Sequence, residues 1–83
     1  MRKNVPKDSL AYRLARVRFE LGISQKDFAN LLDVAQSTVS KIEKGDRLPD
    51  YKFLEDIVNC FNVNLMYIFG KSEDIFITED RQE

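Results

Sequence analysis

Apolar residues return along the first part of the chain with the period of a helix. Leu10, Leu14, Val17 and Leu21 are spaced by four, three and four residues, so they share one side of a helix from about Ser9 to Leu21. Asp8 or Ser9 is suited to cap its start, and Gly22 to end it in a left-handed conformation. Ser24 then caps a second helix, with Asp27 where a capping box has Glu or Gln, and Phe28, Leu31 and Leu32 as its buried face. A third helix is predicted from about Gln36 to Glu43, turned inward through Val39 and Ile42 and closed by Gly45. Leu48-Pro49-Asp50 reads as a turn whose Asp50 caps a fourth helix with the stripe Tyr51, Leu54, Ile57, Val58 and Phe61. Asn62 stands where a left-handed residue is wanted, and Asn64 caps a short fifth helix ending at Gly70.

Short helices in this number and order predict an all-α fold, a compact five-helix bundle over residues 9–70. A basic arm, residues 1–8, precedes it and an acidic tail, residues 71–83, follows. Within the tail, Ile75-Phe76-Ile77-Thr78 is flanked by acidic residues, and four β-prone residues cannot bury themselves alone. Two readings stay open: a disordered tail, or a segment that docks on its own domain or on a second subunit. Tyr12, Ala15 and Phe19 form a second stripe on the first helix, nearly opposite the leucine face. Exposed aromatics need a cover, and Ile75, Phe76 and Ile77 are the candidates for it.

Eighty-three residues make one domain, near the lower limit for a core without disulfides or metal. One cysteine and no histidine exclude an intrachain disulfide and a Cys/His zinc site, and no cofactor is expected. Cys60 reads as buried filler on the fourth helix. No nucleophile has a base to activate it and no Gly-rich phosphate loop is present, so an enzyme is not expected. No apolar run approaches the roughly 18 residues of a membrane span, and the N-terminus lacks the apolar core of a signal peptide. A soluble, cytoplasmic protein without a membrane partner is the expectation.

The net charge of -1 divides unevenly along the chain. Residues 1–49 hold ten Lys or Arg against six Asp or Glu, whereas residues 50–83 hold three against eight. The first part suits phosphate and the second repels it.

Residues 24–45, SQKDFANLLDVAQSTVSKIEKG, read as two short helices joined by a tight turn, the second with a polar outer face. Ala29 is small where the two helices must approach, Asp33 sits in the turn, and Val34, Val39 and Ile42 supply the apolar contacts. This stretch resembles the helix-turn-helix of the phage-repressor and Cro-like family, the Cro/C1-type or XRE family, and the resemblance extends over about residues 9–70. It implies a lambda-repressor-like DNA-binding domain, one helix lying across the phosphate backbone and the next entering the major groove. Asp33 departs from the family's usual Gly, although Asp is among the non-Gly residues that best tolerate positive φ. Ala35 departs from the usual Ser or Thr cap.

By that resemblance, Gln36, Ser37, Thr38, Ser40 and Lys41 are the candidates for reading bases, Gln36 through adenine N6 and N7 and Lys41 through guanine O6 or N7. Ser24, Gln25 and Lys26 at the start of the second helix, with Lys44 and Arg47 after the third, are the candidates for phosphate. Arg2, Lys3 and Lys7 would add a basic arm. Arg18 and Glu43 occupy the positions of a structural salt bridge that orients the recognition helix. The implied function is a sequence-specific double-stranded DNA-binding transcriptional regulator, expected to be a repressor acting as a homodimer on a palindromic operator. The dimer surface is expected on the fifth helix and its approaches, through Met66, Tyr67, Phe69, Ile75, Phe76 and Ile77. An antitoxin that also binds a toxin and controls its own operon, or a protein-interaction module on the same fold, are the alternatives.

Overall fold

Side-chain caps set where most of the helices begin. A computed structural model describes residues 9–77, and the basic arm and residues 78–83 lie outside them. Five helices follow in order: α1 Leu10–Leu21, α2 Gln25–Leu32, α3 Gln36–Glu43, α4 Tyr51–Phe61 and α5 Leu65–Ile68. Ser9, Ser24, Asp50 and Asn64 each accept a hydrogen bond from an amide in the first turn of α1, α2, α4 and α5. Ala35 has no side chain to do this for α3.

The exits are as specific as the entries. Asp33 adopts φ 58°, Val34 N–H donates to Ala29 O at 3.0 Å, and Asp33 N–H donates to Asn30 O at 3.2 Å. This pair of bonds is a Schellman turn, and it sends the chain sharply from α2 into α3. Gly45 at φ 81° repeats the motif after α3, with Asp46 N–H donating to Lys41 O at 2.9 Å.

The core forms where the helices converge. Leu14 and Val17 of α1, Phe28, Ala29 and Leu32 of α2, Val39 and Ile42 of α3, and Phe53 and Ile57 of α4 are buried together. Phe28 stacks on Phe61 with ring centroids 5.4 Å apart and meets Phe53 edge-on at 6.4 Å. Fully burying a side chain of this size contributes about 1.5–3 kcal/mol, before the added aromatic geometry.

Several expectations are corrected. Helix α4 is rolled toward Phe53, which the stripe reading omitted, because that residue meets Phe28; Tyr51, at the other margin, is left 77% exposed. Cys60, on the last turn of α4, is exposed rather than buried. Leu31 is 59% exposed because α2 meets the core through Phe28, Ala29 and Leu32. Phe19 is 72% exposed, so the expected cover over the second stripe of α1 does not form within the described residues.

The segment after α5 turns back on its own domain. Val63 and Phe76 form an isolated antiparallel bridge, flanked by Asn64 N–H to Ile75 O and Ile77 N–H to Asn62 O, both 2.8 Å. Ile75 and Phe76 pack against the core and Val63 is fully buried. The Asn64 side chain caps α5 through Oδ1 while its Nδ2 donates to Asp74 O at 2.9 Å. Asn62 Nδ2 donates to Ile77 O at 3.1 Å. One end of this hook is held by α1. Arg13 is buried, donates through Nη1 to Tyr67 O at 3.0 Å and Ser72 O at 3.4 Å, and lies 4.6 Å from the Tyr67 ring centroid. A guanidinium over an aromatic face adds a cation–π attraction to those bonds.

Candidate nucleic-acid interface

Helix α3 is fixed from behind. Val39 and Ile42 are buried against α1 and α2, which turns Gln36, Ser37 and Lys41 outward as exposed side chains. Ser40 is half-buried, and Thr38, also half-buried, lines a cleft with Val34, Ala35, Ile42, Arg47, Asp50 and Phe53. The outward set therefore consists of an amide, a hydroxyl and a cation, with Thr38 and Ser40 at its edges. Groups of this kind bond base edges in the major groove.

The far end of α3 is locked to two other helices by one carboxylate. Arg18 Nε donates to Glu43 Oε2 at 2.8 Å and Arg18 Nη2 to Glu43 Oε1 at 3.1 Å, a two-bond fork. Arg18 Nη1 donates to Ile23 O at 2.9 Å, holding the α1–α2 turn as well. Gln25 Nε2 donates to the same Oε1 of Glu43 at 3.0 Å. The amide nitrogen of Gln25, expected to meet phosphate, is thus engaged in fixing α3, which the sequence reading did not foresee. Its position in the first turn of α2, beside Ser24, gave no sign of the distance to Glu43.

The cations sort themselves by what they touch. Arg13 holds the hook, Arg16 pairs with Glu20 at 2.8 Å, and Arg18 pairs with Glu43. Lys26, Lys41, Lys44 and Arg47 are exposed on α2, on α3 and in the loop after α3. Leu48, beside Arg47 and expected only as part of a turn, is an exposed apolar residue. The pairs of Arg16 and Arg18 lie within residues 1–49 and leave the positive balance of that stretch unchanged, whereas Arg13 is withdrawn from it by its bonds to residues 67 and 72.

Of the expected dimer residues, Met66, Phe69 and Ile77 are exposed. Tyr67 is buried under Arg13, and Ile75 and Phe76 are half-buried, packed against the chain's own core. No described helix is long and apolar enough to cross a membrane. No group of His, Cys, Asp or Glu among the described residues is placed to hold a metal ion.

A family model described as Helix-turn-helix matches residues 5–68. The chain is 35% identical over 65 residues to the HTH-type transcriptional regulator ImmR of Bacillus subtilis (strain 168). That match covers 78% of this chain and 51% of ImmR, so the chain spans about half the length of that relative. With α2 and α3 joined by the Asp33 turn and α3 displayed on the outside, the chain belongs to the helix-turn-helix family of the Cro/C1 type.

Proposed function

We propose that this protein is a sequence-specific double-stranded DNA-binding transcriptional regulator, a repressor that works in the cytoplasm as a homodimer on a palindromic operator. The observation that carries this reading is the pairing of an outward polar face on α3, Gln36, Ser37 and Lys41, with a rigid anchor behind it, Arg18, Gln25 and Glu43. Base reading needs side chains held in register, and that anchor fixes α3 against both α1 and α2. The ImmR relative, a transcriptional regulator by name, supports the same reading.

In this pose Gln36 bonds adenine and Lys41 bonds guanine, while Lys26, Lys44, Arg47 and the first-turn amides of α2 hold phosphates. One recognition helix reads few base pairs, so two related by a two-fold axis would read half-sites about 34 Å apart. The test is selection from a random duplex pool at roughly 0.1 M salt, beside a Gln36→Ala, Lys41→Ala double variant. The expected result is an enriched palindrome, absent for the variant, with affinity falling steeply as salt rises. Enrichment by neither protein would overturn the reading and favour a protein-interaction module.

A further inference from the structure

The fork behind α3 joins it to α1, since Arg18 stands on the first helix and Glu43 on the third. Gln25, in the first turn of α2, adds a tie from the second helix to the same carboxylate. We propose that Gln25 serves base reading as a positioning residue that acts through Glu43, setting where Lys41 meets its base pair, and is not itself a phosphate ligand. The inference rests on the proposed operator binding and adds to it a residue that decides specificity without touching DNA.

The two ends of α3 are held differently. At its start the chain leaves α2 through the Asp33 turn, with Val34 N–H on Ala29 O at 3.0 Å, so Gln36 stands three residues from a main-chain lock. At its far end the tie to other helices is made by side chains. Glu43 Oε1 accepts from Arg18 Nη2 at 3.1 Å and from Gln25 Nε2 at 3.0 Å, and Oε2 accepts from Arg18 Nε at 2.8 Å. Val39 and Ile42 pack α3 inward as well, but apolar burial is non-directional, whereas a hydrogen bond to a carboxylate fixes direction. Without the Gln25 bond, Glu43 keeps its fork to α1 and loses this restraint on the swing of α3 over α2. Lys41 lies two residues before Glu43, about 3 Å along the axis, and Gln36 seven before it, about 10 Å away. A displacement of the Glu43 end therefore moves Lys41 far more than Gln36.

The same bond makes this amide a poor phosphate ligand. A phosphate oxygen accepting the second Nε2 hydrogen would sit about 5 Å from Glu43 Oε1, two anions on one nitrogen. Lys26, exposed in the same turn, offers phosphate a cation instead. The two roles differ in what their loss does. A lost phosphate contact weakens binding alike on every sequence, whereas a displaced recognition helix loses discrimination at the base pairs it no longer meets.

Gln25→Met keeps the length of the side chain and removes its donors. Selection with the wild type, Gln36→Ala and Lys41→Ala first identifies the base pair that each of these two side chains reads. Equilibrium binding of wild type and Gln25→Met is then measured on the enriched duplex and on duplexes substituted at either pair. In Gln25→Met, discrimination at the Lys41 pair should fall by about fivefold or more, while discrimination at the Gln36 pair stays within about twofold of wild type. Without DNA, the Glu43 and Lys44 amides at the end of α3 should exchange about fivefold faster or more in the variant. Weakening by one factor on every duplex would make Gln25 a phosphate ligand and overturn the inference, and a variant that binds and discriminates as the wild type does would also overturn it. Either result leaves the regulator reading standing, because the wild type still selects its duplex. Enrichment of no duplex by the wild type would instead remove operator binding, and the role of Gln25 in base reading with it.

Discussion

Arg18 and Glu43 grip each other through two parallel hydrogen bonds, 2.8 and 3.1 Å, across 25 residues of sequence, and Gln25 closes on the same carboxylate. The Glu43 side chain is 8% exposed and that of Arg18 21%, so the pair is largely withdrawn from water. Its net contribution is small after desolvation, but removal of either partner leaves a costly remnant. Arg18→Ala should lose about 2–3 kcal/mol and Arg18→Met distinctly less, since Met keeps much of the buried stem. Thermal melts ranking Ala at or above Met would contradict this.

Asp33 holds a left-handed conformation for which glycine carries no side-chain penalty. Asp33→Gly should therefore be neutral or stabilise by up to about 1 kcal/mol, and Asp33→Val should destabilise by about 1–2 kcal/mol. Urea titration of the three proteins decides it; a Val variant as stable as wild type would mean that the turn is not strained by side chains.

Arg13 supplies two hydrogen bonds and an aromatic contact to a segment with few other ties to α1. Its contact with the exposed Glu73, at 3.9 Å, adds little. Arg13→Ala should cost about 2–3 kcal/mol, and Arg13→Lys should recover only part of it, because an ammonium cannot reproduce the planar fork. Hydrogen exchange locates the loss: the amides of Asn64 and Ile77, which hold the hook, should exchange faster. Equal protection in the Ala variant would show that the hook does not depend on Arg13.

Burial pushes the Tyr67 phenol above its ordinary value, and the nearby Arg13 charge partly opposes that shift. The folded chain thus keeps this proton to higher pH than the unfolded chain. Stability from Tyr67 is complete below pH about 10, where both states are protonated, and is lost as pH rises through the folded value. Tyr67→Phe retains the ring under Arg13 and removes the titration. Its denaturation midpoint should fall less steeply than that of the wild type above pH 10; parallel curves would assign alkaline unfolding to other groups.

Most of the helix order was legible because it depends on neighbours in sequence. Ser9, Ser24, Asp50 and Asn64 cap within three residues, and Gly22, Asp33 and Asn62 take left-handed conformations locally. The roll of α4 was not legible, because it is set by Phe28 on another helix. Arg13 does carry a sequence signal: three residues after Leu10 and four before Val17, it falls inside the buried arc of α1. Its partners, the Tyr67 and Ser72 carbonyls, have no such signal, since main-chain acceptors are the same at every position. For the candidate interface, Arg18 and Glu43 were legible through resemblance, while the bond from Gln25 to Glu43 arises only once α2 and α3 pack together.

The grip of Arg13 on Tyr67 joins residues 54 apart, whereas Asn64 and Asp74 meet across ten. Loop-closure entropy grows with separation, so the hook is expected to form before the Arg13 grip. A chevron analysis would then separate two kinds of damage. Arg13→Ala should mainly accelerate unfolding, while Val39→Ala, within the local α2–α3 pair, should mainly slow folding. With that outcome, the grip that completes the domain would also be a brake on its opening, and the lifetime of a folded molecule would depend on it.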